Sequence, residues 1–63
     1  MNEVSFRLFS AACVALGVVQ AALVNARYRE EPPAVVRNME RIEEELRVSI
    51  DAFKAAAVAD GAL

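Results

Sequence analysis

Apolar residues run almost unbroken from Val4 to Ala26, then a proline pair gives way to a segment in which they recur every three or four positions. From Leu8 through Ala26, nineteen consecutive residues carry no charge. The alanines and leucines of that run favour helix, and no proline interrupts it. At 1.5 Å of rise per residue the run is about 28 Å long, close to the hydrocarbon thickness of a bilayer. It predicts a first helix over about residues 4–29, read as a single transmembrane span. Gln20 and Asn25 sit uneasily in such a span unless they face protein or an interface.

Glu30-Glu31-Pro32-Pro33 is the one clear stop. Proline lacks an amide hydrogen, clashes with the preceding turn and pushes its predecessor out of the α region. Two in succession end the first helix near Arg29 or Glu30. Pro33 also suits the first position of a new helix, where its missing donor costs nothing.

The second helix is expected over 33–59. Val35, Met39, Ile42, Leu46, Ser49, Phe53 and Ala56 alternate at spacings of four and three, the signature of a heptad seam. The seam weakens at Ser49 and thins at Ala56, so Val35, Met39, Ile42, Leu46 and Phe53 are its expected partner-facing residues. The opposite face carries Arg37, Arg41, Glu44, Arg47, Asp51 and Lys54. Pairs four apart, such as Glu43 with Arg47, add a few tenths of a kcal/mol each. Asp60-Gly61 supplies the stop, with glycine in the left-handed cap position. The fold class is therefore all-α, with a hydrophobic N-terminal helix (1–29), a break (30–33), and an amphipathic charged helix with a short tail (34–63).

The small and polar residues of the first helix are not scattered. Ser10, Cys13, Gly17, Gln20 and Ala21 fall on one stripe, and Cys13, Gly17 and Ala21 form a small-xxx-small series that lets another backbone approach closely. This stripe is the expected helix-packing surface. A heptad row is also present in this helix, at Phe6, Phe9, Cys13, Leu16, Gln20 and Leu23. Arg27, Tyr28 and Arg29 follow the apolar run directly and are the expected interface anchors, since basic and aromatic residues gather at headgroup level. The surplus of arginine after the run puts the C-terminal part on the cytoplasmic side.

Composition narrows the chemistry. A 63-residue chain is marginal as an isolated domain, and chains this short lean on disulfides, metals, oligomers or a host complex. Cys13 is the sole cysteine and histidine is absent, which leaves no internal disulfide and no ordinary zinc or haem site. A net charge of −2 argues against a nucleic-acid partner. Glu40, Glu43, Glu44 and Glu45 form the main acidic cluster, but the histidine three residues on that di-iron helices use is missing. Arg41 and Arg47 neutralise that run, so it reads as a solvated face. Ser5, Ser10 and Ser49 have no histidine to act as a base, and no phosphate-cradling glycine loop is present. No cofactor, metal or small-molecule substrate is expected, and the chain does not read as an enzyme.

The leading expectation is a non-catalytic single-pass membrane accessory subunit. Its apolar helix and amphipathic arm would pack against a larger membrane protein complex, a build shared by small subunits of energy-transducing assemblies. Its partners would be that complex or copies of itself, together with the bilayer. The alternative is a helical hairpin that self-assembles into a bundle or filament, since two helices of nearly equal length joined by a short loop make antiparallel neighbours. A third reading is a secreted peptide with a cleavable signal, because Val19-Gln20-Ala21 and Val24-Asn25-Ala26 satisfy the small-residue rule for cleavage. Against it, the basic n-region holds only Arg7, offset by Glu3.

Overall fold

A computed structural model describes residues 2–61, so Met1 and the last two residues of the tail lie outside the described residues. The chain forms two helices, α1 (Glu3–Tyr28) and α2 (Pro33–Ala59). They fold back as an antiparallel hairpin measuring 44 × 15 × 14 Å. The expected all-α architecture and both helix boundaries agree with this to within a residue or so.

Local chemistry fixes each helix end. The Ser5 amide donates to the Asn2 side-chain oxygen at 2.8 Å, satisfying one of the orphan donors of the first turn. Glu3 lies in that turn, where a negative charge meets the positive end of the helix, and Arg7 bonds it at 2.7 Å one turn on. At the other end the helix closes before the prolines are reached. The Glu31 amide donates to the Ala26 carbonyl at 3.0 Å and the Glu30 amide to the Arg27 carbonyl at 3.1 Å. Those two bonds form a Schellman motif, with Glu30 in the left-handed position that glycine usually fills, at φ 55°. Pro32 is the N-cap of α2 and Pro33 its first residue. Gly61 closes α2 at φ 76°, as the sequence leads one to expect.

The helices meet along a full-length seam. From α1 it takes Ser5, Phe9, Ala12, Leu16, Val19, Leu23 and Ala26, all buried or half-buried at alternating spacings of four and three. From α2 it takes Val36, Met39, Glu43, Leu46, Ile50, Phe53 and Ala57 in the same rhythm. Phe9 and Phe53 pack edge to face with ring centroids 6.2 Å apart near the open end. The best-covered side chains are Leu23 and Ala57, each 2% exposed, joined by Ala26 and Ile50. No polar or charged residue is buried among the described residues. Two helices can cover only one face of each other, so this core is thin.

Candidate interaction site

The heptad rhythm divides each helix into a seam, two flanks and an outward face. Arg27 of α1 reaches Glu40 of α2 at 3.3 Å, which fixes one flank of the hairpin. At heptad spacing that flank carries Phe6, Cys13 and Gln20 from α1 and Glu40, Arg47 and Lys54 from α2. A shallow hollow near the corner, lined by Ala22, Asn25, Val35 and Met39 among others, fixes the opposite flank. A second hollow on that same flank is lined by Ser49, Ala52, Phe53 and Ala56.

The outward faces of the two helices differ sharply. On α1 the outward positions are Val4, Ala11, Val14, Gly17, Val18, Ala21 and Val24, all exposed, with Arg7 and Tyr28 toward the two ends. Over its most apolar eighteen-residue window, α1 has a mean hydropathy of 1.9, yet only 6% of that window is buried. The helix is long and apolar enough to cross a membrane. On α2 the outward positions include Arg37, Arg41, Glu44, Glu45 and Asp51, all exposed. The hairpin is a slab with one apolar side and one charged side.

The residues singled out from sequence fall in three places. Met39, Leu46 and Phe53 lie in the seam against α1, whereas Val35 and Ile42 lie on its edge at 44% and 37% exposure. The second row that α1 covers is Val36, Glu43, Ile50 and Ala57, one residue along. The apolar content of the two rows is nearly equal, so periodicity alone did not distinguish them. A one-residue shift the other way occurs in α1, where Ser5, Ala12, Val19 and Ala26 take the row in place of Phe6, Cys13 and Gln20. That choice keeps the amide of Gln20 and the charge of Arg27 at the seam's margin, avoiding the cost of burying either. Glu43 escapes in a similar way, reaching Arg47 at 3.6 Å.

In the packing stripe, Ser10 and Gln20 are half-buried while Cys13, Gly17 and Ala21 are exposed. A methyl group added at Gly17 would meet nothing within 4 Å, so the hairpin itself does not require glycine there. The anchors cluster at the corner: Arg27 pairs with Glu40, Arg29 caps α1, and Tyr28 projects outward at 87% exposure. No group of His, Cys, Asp and Glu that could hold a metal ion occurs among the described residues. What the arrangement offers is surface: one apolar side, one charged side, and two unlike flanks. No family model matches the chain, and neither a curated protein nor a solved structure matches it.

Proposed function

We propose that this protein is a non-catalytic membrane-bound interaction subunit, with the outer face of α1 in the apolar phase and the outer face of α2 in water. One observation carries the reading: the most apolar helix of the chain leaves its outward face uncovered along its whole length. A core helix of a water-soluble domain is covered on all its apolar sides, so the exposed side of α1 calls for lipid or a partner's surface. The corner supports the same placement. Arg27, Tyr28 and Arg29 sit where α1 ends, as interfacial anchors do. A larger membrane complex is the partner that the Ser10–Ala21 stripe would meet from the side.

As folded, the hairpin lies along the membrane surface. The nine charged residues of α2 would accompany α1 to bilayer depth if the closed hairpin crossed the membrane. At about 2.5–3.5 kcal/mol for each charge near the centre, that cost exceeds anything the seam returns. The second reading, favoured by the length and hydropathy of α1, is a single-pass span with the C-terminal part cytoplasmic. It requires the hairpin to open at Arg29–Pro33 and α2 to find another cover for its seam.

Alkaline carbonate extraction of membranes from cells expressing the full chain tests the proposal. The chain is expected in the pellet, and its release into the supernatant would overturn both membrane readings. Spin labels at Glu3 and Val58, one near the free end of each helix, then separate the two. A short distance in liposomes goes with the closed hairpin, and a long one with the opened span.

A further inference from the structure

The closed hairpin leaves one property of α1 unexplained. α2 carries charge on its outward face and on the flank marked by Arg27 and Glu40, whereas α1 carries none on any side between Leu8 and Ala26. Packing on α2 accounts for the apolar seam row of α1, and contact with lipid accounts for its outward face. Neither accounts for the flank beside Glu40, Arg47 and Lys54, where α1 places Cys13 and Gln20. Cys13 is exposed there, at a position where a helix lying on a surface tolerates charge as α2 does. A helix that crosses a bilayer tolerates it on no side that meets lipid. The uncharged circumference of α1 is therefore the requirement of a span.

The joint between the helices permits the change. The Glu30 and Glu31 amides bond back into α1, and the Val35 and Val36 amides bond back to Pro32. Among the described residues no backbone hydrogen bond crosses the Glu31–Pro32 link, and the two prolines have no amide hydrogen with which to make one. The Arg27–Glu40 tie beside this link is half exposed and correspondingly weak. Opening uncovers two seam rows, and the bilayer takes both. The row of α1 is apolar from Phe9 to Ala26 and enters with the rest of the helix. The row of α2, with charges on its outer side, suits the membrane interface. Glu43, whose side chain is 24% exposed in the closed seam, returns to water. The leading turns of α1 carry Glu3 and Arg7, joined at 2.7 Å, so their charges cancel as that end crosses.

We infer that the hairpin is an insertion device with two states. Closed, it docks on the bilayer by the outward face of α1. Hinged open at Glu31–Pro32, it delivers α1 across the membrane while α2 stays at the surface. The bilayer drives the change because lipid surrounds the whole circumference of α1 in the open state and one face of it in the closed state. The inference rests on the membrane reading above. Release by carbonate removes both, whereas a membrane-bound chain whose α1 does not cross removes this step alone.

The test follows the two free helix ends in sealed phosphatidylcholine vesicles, with the full chain added from outside. A nitrobenzoxadiazole dye is attached at Val4→Cys or Val58→Cys in a Cys13→Ser background. Dithionite, which does not cross the bilayer, then reduces whatever dye remains outside. Protection of the Val4 dye and full reduction of the Val58 dye are expected. A variant with Cys13→Glu and Gln20→Glu adds charge on the flank beside Arg47 and Lys54, where the closed hairpin accommodates it. In a span the same charges lie about one turn to either side of the middle. The ratio of protected to reduced Val4 dye should fall by roughly tenfold or more, while flotation with the vesicles is kept. Complete reduction of the Val4 dye in the parent chain, with the chain still floating, overturns the inference. Equal protection in parent and variant, or a variant that no longer floats, overturns it as well. A parent chain that does not float overturns the membrane reading, and this inference with it.

Discussion

At Glu30 a charged residue occupies a backbone position that favours glycine. A side chain in the left-handed region costs roughly 1–2 kcal/mol, while glycine's extra freedom in the unfolded chain offsets about 0.4–1 kcal/mol of any gain. Glu30→Gly should therefore stabilise the hairpin by about 0.5–1 kcal/mol, measured by urea unfolding in mild detergent. Gly17 is the converse. It sits in mid-helix with open space beside it, so Gly17→Ala should add about 0.5–1 kcal/mol of stability. Gly17→Leu branches from the same open Cβ position on the exposed face, and it should lower recovery of a larger complex if the Ser10–Ala21 stripe is where that complex docks. Undiminished recovery would remove the stripe from the account.

Between the helices, burial and charge contribute unequally. Leu23 is 2% exposed in the seam near the corner, and Leu23→Ala should cost about 2–4 kcal/mol, enough to open a hairpin this small. Arg27 and Glu40 are joined across the helices, but their side chains are 55% and 48% exposed, so solvent screens the pair. Arg27→Ala should cost less than about 1 kcal/mol in the same unfolding measurement.

This asymmetry explains what was legible in the sequence. The two helices and their stops follow from the long apolar run, Pro32-Pro33 and Gly61, whose local preferences no tertiary contact needs to overrule. The rows containing Phe9, Leu16, Leu23, Met39, Leu46 and Phe53 follow from large apolar side chains at heptad spacing. The second row of each helix was not legible, since Val35 and Val36, or Ile42 and Ile50, serve equally well. The Schellman turn at Glu30 was hidden for a different reason. Its residue type argues against the conformation, and only the backbone bonds to Arg27 and Ala26 reveal it.

Taken whole, the molecule is a two-sided slab, and each side has its own requirement. The charged side of α2 is satisfied by water. The side formed by α1 is not, because α2 leaves it uncovered. Its stability is therefore expected to depend on its surroundings: the chain should lose helicity or aggregate when detergent is removed and recover on addition of lipid vesicles, as followed by circular dichroism. The seam alone, with four well-covered side chains, is too small to hold the hairpin strongly in water. Lipid beneath α1 would supply the missing burial.

The most direct test of the placement is the environment of the two outward faces in liposomes. A fluorophore at Val14 or Val18 on α1 is compared with one at Glu44 or Val48 on α2, each in a Cys13→Ser background. A lipid-borne quencher is expected to reach the first pair while aqueous iodide reaches the second. Iodide quenching of both pairs to the same extent would contradict it.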